Sequence, residues 1–330
     1  MLATVSTPNL VYKSPNDNKF RRWHFPSHNA NLSLYWSPFL VEGVERSNEG
    51  PYYNTMYLDH VNERWARDLE WFDMIVVSFG HWFLLPSVYY EGGLVIGSLN
   101  CPDLNHTQMD FYVPLRKVLK TTLNSIIERK RGEVDVIVKT FSPAHFEGDW
   151  DKAGTCLKTE PYKKEEKDVE GMDAEIRKIE IEEVENAKAK ASEFGGFRLD
   201  ILDVTRLALL RPDGHPGPYM NPFPFAKGVP ERVQNDCVHW CLPGPIDTWN
   251  QIFLQIIKKR EKRYPTGWNS FEGRIRDQDQ TLVVKTEGPT VLLPFVQAVM
   301  DVKISEQFVP SQFKMYNETT LRLTLRLSLM

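Results

Sequence analysis

Residues 72–82 read FDMIVVSFGHW, a short apolar run that ends in polar residues. Its centre, Met74 to Val77, is rich in β-branched side chains, which favour extended backbone. A run of four to eight such residues without alternation is typical of a strand buried on both faces. Strands of that kind belong to parallel sheets that helices cover on either side, so this stretch predicts an α/β fold.

The next segment along the chain has the period of a helix. Within residues 110–131, apolar or small side chains recur at spacings of four and three, which places them on one helical face: Leu115, Leu119, Thr122 and Ile126. Residues 134–140 follow directly and read VDVIVKT, a second buried strand. The order from residue 72 is therefore strand, helix, strand.

A second helix and a third strand continue this order. A charged stretch follows the second strand and carries an apolar helical face that we assign to Ile176, Ile179, Val184, Ala187, Ala191 and Phe194. Gly195 and Gly196 predict the end of the helix, because glycine readily adopts the left-handed conformation of a C-terminal cap. Residues 197–203, FRLDILD, then predict the third strand.

This order of elements places polar residues at one edge of the sheet. Right-handed crossovers make the three strands parallel, with helices on both faces. Ligands of such sheets bind beyond the carboxyl ends of the strands. Each predicted strand is followed there by polar or aromatic residues, including His81 and Trp82 after the first and His145 after the second. We expect the functional site at this edge.

Composition excludes several classes of partner. The chain has 330 residues, of which 42% are apolar, enough for a sizeable core. Its 40 basic and 44 acidic residues give a net charge of -4, so no global field attracts nucleic acid, and we predict no nucleic-acid partner. No uncharged apolar stretch approaches the ~18 residues of a membrane span, and the first residues do not resemble a signal peptide. The chain as written therefore has neither signal nor anchor.

Four cysteines are candidates for disulfide bonds: Cys101, Cys156, Cys237 and Cys241. Four cysteines permit three pairings, and sequence does not separate them. A zinc site is the alternative interpretation. However, Cys237, His239 and Cys241 are more crowded than the usual ligand spacing, and no second cysteine pair completes a set. We therefore predict no metal site.

Asp236 and His239 form the sharpest chemical motif in the sequence. A carboxylate three residues before an imidazole can accept a hydrogen bond from its Nδ1–H, which fixes the tautomer. It also stabilises the imidazolium that forms when Nε2 takes a proton from a nucleophile. An Asp and a His at this spacing also occur by chance in many loops. The surrounding sequence decides between these interpretations.

The surrounding blocks are similar to those of the trichome birefringence-like family. Five blocks occur in that family's order between Asn18 and Lys262: WSPFLV at 36–41, GHWF at 80–83, FSPAHF at 141–146, RPDGHP at 211–216 and DCVHWCLPGPIDTWN at 236–250. Their joint occurrence is far more specific than any one block. The 211–216 and 236–250 blocks look most like the xyloglucan-acetylating branch.

The resemblance implies a Golgi O-acetyltransferase that modifies cell-wall polysaccharide. The implied fold is a three-layer SGNH-like (PC-esterase) fold in which a serine forms an acetyl-enzyme and passes the acetyl group to a sugar hydroxyl. His239 matches the family's base and Asp236 the residue that orients it. No cofactor is implied beyond an acetyl donor such as acetyl-CoA or an acetylated intermediate. The implied partner is the polysaccharide acceptor, with a membrane engaged only through an N-terminal anchor.

One departure from the family pattern affects function. The family's Gly-Asp-Ser block precedes all five blocks, and no Gly-Asp-Ser occurs in these 330 residues. We therefore expect that the first strand and the nucleophilic serine are lacking and that the chain as written is inactive. Ser78 is a poor substitute, because no sharp G-x-S-x-G elbow surrounds it. The alternatives are a non-catalytic module that binds glycan or a partner, and a polysaccharide acetyl esterase.

Further residues are candidates for the substrate groove: Gly80, His81, Trp82, His145, Asp213, His215 and Trp240. His81 and Trp82 fit core packing equally well. Asp213 and His215 fit a turn better than a second catalytic pair, since aspartate in a Pro/Gly-rich segment bonds to its own backbone.

The domain is predicted to end near Arg263. Its final helix carries Trp249, Ile252, Phe253, Ile256 and Ile257 on one face, and Asp247 is the predicted N-cap. Residues 1–263 are thus one truncated PC-esterase-like domain. Residues 264–330 show no further βα pattern and are predicted to be an unstructured or foreign tail. Part of this tail, between 294 and 317, resembles the opening of a plant retroelement gag polyprotein.

Overall fold

A computed structural model describes residues 7–15, 19–130, 134–149, 154–220, 223–228 and 233–261, together with 271–272, 285–286 and 291–297. The strands in chain order are β1 (Asn9–Lys13), β2 (Phe20–Phe25), β3 (Ala30–Trp36), β4 (Val41–Val44), β5 (Asn54–Val61), β6 (Met74–Ser78), β7 (Ser87–Glu91), β8 (Leu94–Leu99), β9 (Val134–Lys139), β10 (Phe197–Leu202), β11 (Phe271–Glu272), β12 (Lys285–Thr286) and β13 (Val291–Gln297). The α-helices are α1 (Glu63–Ala66), α2 (Tyr112–Lys130), α3 (Gly171–Ala191), α4 (Thr205–Leu209) and α5 (Pro245–Glu261).

The main sheet has seven strands in the order β1-β2-β3-β13-β6-β9-β10. From β3 to β10 all neighbours are parallel, whereas β1, β2 and β3 form an antiparallel edge. The predicted strand-helix-strand-helix-strand order is confirmed as β6-α2-β9-α3-β10.

Alternate residues of the central strands face two separate cores. Ile75 and Val77 of β6 pack in the larger core with the inner faces of α2 and α3. Met74 and Val76 face the opposite way and pack with α5 and the neighbouring Trp240. Because β6 is buried on both faces, its sequence needs no polar alternation. The fold therefore has three layers, helices on either side of a parallel sheet, which confirms the predicted fold class.

The helix ends show why these helices stop and start where they do. Gly195 and Gly196 both have positive φ, 65° and 75°, as expected for residues that reverse the chain before β10. Phe194 was wrongly placed on the buried face, since it lies beyond the end of α3 and is 49% exposed. Asp247 lies inside α5 and is not its N-cap. Its carboxylate instead accepts the backbone amide of Gly244 at 2.8 Å, just before the helix.

The region after residue 263 contributes one strand to the main sheet. β13 pairs in parallel with β3 on one side and with β6 on the other. The sequence shows no continued βα pattern there, and the structure differs from that expectation at this strand. Residues 291–297 read VLLPFVQ, an apolar run of the composition that parallel strands use. The other residues beyond 263, apart from β11 and β12, lie outside the described residues, as does most of the gag-like segment.

A second sheet was not expected from the sequence. It has four strands in the order β4-β5-β7-β8, in which only β5 and β7 are parallel. The apolar stretch from Leu32 to Val41 is divided between the two sheets, because Leu40 has a positive φ of 64° that interrupts the extended backbone. Within the part of the chain that the structure describes, no helix is long and apolar enough to cross a membrane.

Candidate active site

Asp236 and His239 meet in a tight turn before α5. The Nδ1 of His239 lies 2.5 Å from Oδ2 of Asp236, and Oδ1 of the same carboxylate accepts the backbone amides of His239 at 2.9 Å and Val238 at 3.2 Å. Because a carboxylate only accepts hydrogen bonds, Nδ1 must carry the proton when the ring is neutral. Nε2 is then a lone-pair acceptor, which is the tautomer that a general base needs.

The pair is well shielded from solvent. The side chains of His239 and Asp236 are 12% and 8% exposed. Burial acts to raise the pKa of Asp236, but the hydrogen bonds from the His239 ring and from the two amides outweigh burial and hold that pKa below its usual value. Asp236 is therefore ionised, and it can stabilise a positive charge on His239.

The turn is tied to the 214–217 loop on both sides of His239. Asp236 and Gly217 exchange two backbone hydrogen bonds of 2.9 Å, and the amide of Cys241 donates to the carbonyl oxygen of Gly214 at 2.8 Å. The amide of His145 also donates to the carbonyl oxygen of Cys237 at 3.0 Å. These backbone contacts fix the turn in position, as a preorganised catalytic residue requires.

One of the predicted disulfide candidates secures the same turn. Cys156 is bonded to Cys237, next to Asp236. Cys101 and Cys241 carry thiols in the structure, and Cys101 is buried. Of the four candidate cysteines, the structure therefore joins Cys156 and Cys237 and leaves Cys101 and Cys241 outside a disulfide. With Cys237 in a disulfide, it is not available as a zinc ligand.

His215 and His145 extend the site away from solvent. The Nδ1 of His215 lies 2.7 Å from the carbonyl oxygen of His239, and its Nε2 lies 2.7 Å from Nδ1 of His145. The Nε2 of His145 in turn lies 2.9 Å from the carbonyl oxygen of Leu209. Both were predicted as groove residues. The structure instead engages their ring nitrogens with each other and with backbone.

The Trp240 ring packs against the rings of His145 and His215. Its side chain is 1% exposed and packs against His215, with ring centroids 4.1 Å apart, and against Trp249 of α5 at 5.3 Å. A Cβ on Gly214 would lie 2.5 Å from Cγ of Pro245 and 3.0 Å from the Trp240 ring, so only glycine permits this approach. Trp240 is thus a packing residue and not an exposed sugar platform.

The GHW segment after β6 lines the same edge of the sheet. His81 packs against Phe141 with ring centroids 4.5 Å apart, its Nε2 is buried, and burial lowers its pKa to about 3. His81 is therefore neutral. Trp82 packs edge-on against Trp36 and Phe39. Both side chains take part in packing, as the alternative interpretation predicted.

Several buried polar atoms at this edge have no hydrogen-bond partner. Among the described residues, the buried atoms without a hydrogen-bond partner include His239 Nε2, Ser78 Oγ, His81 Nε2, Trp82 Nε1 and Trp240 Nε1. Unpaired buried polar atoms are rare and costly in folded proteins. Half of the ten such atoms lie on the turn that carries His239 and Trp240 or at and just after the carboxyl end of β6, which makes this edge a candidate binding place for a reacting group.

Asp213 has a structural role. Both of its carboxylate oxygens accept hydrogen bonds of 2.8 Å from Arg211, which holds the pKa of Asp213 below its usual value. A carboxylate engaged in this two-pronged contact is not free to orient a histidine. Asp213 therefore shapes the loop that carries His215, in agreement with the turn interpretation.

Lys139 was missed by the sequence analysis. It ends β9 with its ammonium group buried, 3.2 Å from Ser142 Oγ and 5.1 Å from the centroid of the Trp249 ring. Burial lowers the pKa of Lys139, and the nearby Glu180 carboxyl, whose pKa burial raises, acts against that shift. The only sequence signal was a lysine that closes an otherwise apolar strand. Within the described ranges no cluster of His, Cys, Asp or Glu has the arrangement of a metal site.

Comparison with known proteins adds to this geometry. A PC-esterase profile, described as the GDSL/SGNH-like acyl-esterase family found in Pmr5 and Cas1p, matches residues 1–256. The chain is 64% identical over 262 residues to xyloglucan O-acetyltransferase 1 of Populus trichocarpa, which covers 78% of the chain and 61% of that protein. It is 53% identical over 260 residues to xyloglucan O-acetyltransferase 1 of Arabidopsis thaliana, with 78% and 60% covered. It is also 39% identical over 253 residues to protein trichome birefringence-like 25 of the same plant, with 74% and 55% covered. The chain thus spans about three fifths of the length of the first two relatives.

Proposed function

The chain belongs to the PC-esterase family of GDSL/SGNH-like acyl-esterases, and on this premise we propose that it is the base-carrying part of a polysaccharide O-acetyltransferase acting on xyloglucan. The observation that carries the proposal is the buried Asp236–His239 pair. Its buried Nε2 has no hydrogen-bond partner and lies at the carboxyl ends of the parallel strands, where ligands of such sheets bind.

In the proposed reaction His239 acts on two hydroxyl groups in turn. Nε2 first takes the proton of a serine hydroxyl while the serine oxygen attacks the carbonyl carbon of the acetyl donor. The leaving group departs with that proton, which leaves an acetyl-serine ester. Nε2 then takes the proton of a sugar hydroxyl, whose oxygen attacks the ester, and returns it to the serine. In both steps Asp236 stabilises the imidazolium.

The serine of this scheme is not among the 330 residues, since no Gly-Asp-Ser occurs in them. We propose that the chain by itself does not transfer acetyl groups. Ser78 does not replace the missing residue: it is 4% exposed and lies within β6, without the sharp turn that presents a nucleophile.

The substrate and location are proposed from the relatives. The two most similar proteins described above bear the name xyloglucan O-acetyltransferase, which supports a xyloglucan-like hemicellulose as acceptor. A Golgi location and an acetyl donor such as acetyl-CoA, or an acetylated intermediate, complete the proposal. Engagement of a membrane through an N-terminal anchor belongs to it as well.

A transfer assay with two proteins tests the proposal. The first is the chain itself, and the second carries the Gly-Asp-Ser segment of a xyloglucan-acetylating relative fused before residue 1. Each is incubated with an acetyl donor and unacetylated xyloglucan, and incorporated acetyl is measured. We expect transfer from the fusion only, and its loss in fusions carrying Asp236→Asn or His239→Gln. Transfer by the chain itself that depends on His239 would contradict the proposal and point to an internal nucleophile.

The same proteins distinguish the two alternatives. Release of acetate from acetylated xyloglucan, without transfer to a fresh acceptor, would identify an esterase in which His239 activates water. Binding of xyloglucan by the fusion without turnover of either kind would identify a glycan-binding module.

A further inference from the structure

His145 and His215 form a continuous chain of ring nitrogens between two backbone carbonyls. From one end to the other, the chain runs from the Leu209 oxygen to His145 Nε2 at 2.9 Å and from His145 Nδ1 to His215 Nε2 at 2.7 Å. It ends with His215 Nδ1 at 2.7 Å from the His239 oxygen. All three distances are those of hydrogen bonds. The last one reaches the backbone of the proposed base.

A count of protons shows that two neutral histidines cannot make all three bonds. Each carbonyl oxygen can only accept, so His145 Nε2 and His215 Nδ1 must both carry hydrogen. If both rings are neutral, His145 Nδ1 and His215 Nε2 are then bare, and two lone pairs face each other across 2.7 Å. If either ring adopts its other tautomer, its proton lies between the two rings. A ring nitrogen without hydrogen then faces a carbonyl oxygen instead. Only three protons, one more than the neutral pair holds, satisfy every contact.

Some groups around the pair oppose this extra charge, and others support it. Burial lowers the pKa of His145 and lowers that of His215 to about 4. Lys167 opposes a charge on His145, and a protonated His239 opposes one on His215. His81 is a further neighbouring titratable group on the His239 side. Two carboxylates support the charge: Asp213, held by Arg211, acts on His145, and Asp236 acts on His215.

We propose that His145 and His215 bind one proton jointly and that this proton completes a chain of hydrogen bonds that holds the carbonyl of His239, which makes the two histidines positioning residues for the base. The role rests on the proposed function, in which His239 is that base. When the proton leaves, one of the three bonds opens and the turn loses part of its support. Trp240, packed under His215 and directly following His239, transmits the same restraint through its ring.

The proton count is directly measurable in the chain by nitrogen NMR of ring-labelled histidine. We expect a state with three ring N–H groups on the pair, populated as the pH falls below the ordinary histidine pKa of about 6.5, because burial lowers the pKa of both rings. One of them should couple to nitrogens of both rings, and both rings should titrate in a single step. Two N–H groups throughout the range from about pH 4 to about pH 8, or two independent steps, would overturn the proposal.

Two variants separate positioning from packing. His145→Phe removes the extra proton but leaves a neutral His215 able to donate to the His239 carbonyl, whereas His215→Phe removes that donor. We expect the shared step to vanish in both variants. The His239 Nδ1–H signal should shift in both variants, and further in His215→Phe, which loses the donor to the His239 carbonyl as well as the shared proton. His60→Phe, at a histidine whose side chain is 65% exposed, is the matched control and should change neither signal. An unshifted His239 signal in His215→Phe would overturn the positioning role.

The Gly-Asp-Ser fusion extends the test to catalysis. His215→Phe should lower kcat by roughly 10- to 100-fold with KM unchanged, the effect usual for residues that orient a catalytic group. His145→Phe should also lower kcat, but by a smaller factor, because it removes the shared proton and leaves the His215 donor in place. His60→Phe should stay close to the parent. A raised KM at constant kcat would indicate that the two histidines contact the substrate, as groove residues do, and would overturn the proposal. If the fusion is inactive, the proposed function fails, while the NMR result still decides the proton count.

Discussion

The carboxylate of Asp236 holds His239 by its ring and its backbone at once, with Oδ2 at 2.5 Å from Nδ1 and Oδ1 accepting the amide of the same residue at 2.9 Å. The three-residue spacing makes this possible, because a tight turn brings the amide and the ring of the later residue to the same carboxylate. One side chain therefore sets the tautomer, the ring orientation and the shape of the turn.

Asp236→Asn should weaken both functions of this carboxylate. An amide oxygen accepts more weakly than a carboxylate, and the buried turn keeps donors that then lack a full partner. We expect a loss of about 1–3 kcal/mol in the free energy of unfolding, measured with denaturant. In the Gly-Asp-Ser fusion, kcat should fall on the order of 10³- to 10⁴-fold. Asp103→Asn, at an exposed position, is the control. Unchanged kcat in Asp236→Asn would show that His239 does not need its carboxylate.

His81 should make the protein less stable as the pH falls. Its pKa is lowered to about 3 by burial, whereas an unfolded histidine titrates at about 6.5. Between these values the unfolded chain binds a proton that the folded chain does not, so stability declines as pH falls, by up to about 1.4 kcal/mol per pH unit. His81→Phe should remove that part of the slope, while His60→Phe should retain it. Equal slopes in all three proteins, from denaturant titrations across this window, would mean that His81 is charged in the fold.

The Cys156–Cys237 bond should stabilise the turn that carries Asp236 and His239. It closes a loop of 81 residues, and cross-links of loops this long typically contribute about 2–4 kcal/mol by restricting the unfolded chain. Peptide mapping under non-reducing conditions should find this pair joined. Cys156→Ser should lower stability by that amount, whereas Cys101→Ser should have no cross-link to lose. A mapped bond between Cys237 and any other cysteine would refute the pairing.

Gly80 should not tolerate a side chain. A Cβ there would lie 2.6 Å from the Phe141 ring, so Gly80→Ala should cost about 1–3 kcal/mol of unfolding free energy through overpacking. Because the clash is with one ring, Phe141→Leu should relieve it, and the double variant should lose less than the sum of the single losses. Strict additivity of the two losses, measured by denaturant unfolding, would place the cause elsewhere.

The sequence by itself determined the layered sheet and the Asp236–His239 pair. Buried parallel strands and amphipathic helices have local periods, so β6, β9 and β10 and the helices between them could be predicted within a few residues. The Asp236–His239 contact is local too, because three residues span it.

Only the tertiary structure decided what surrounds that pair. His145 and His215 are 70 residues apart and meet because the segment after β9 and the loop after α4 pack on the same turn. The second sheet, the partner of Cys237 and the burial of Lys139 likewise depend on segments distant along the chain. Residue type specifies which bonds a side chain can make. The folded backbone selects its partner, and in this protein it brought His145 and His215 together behind His239.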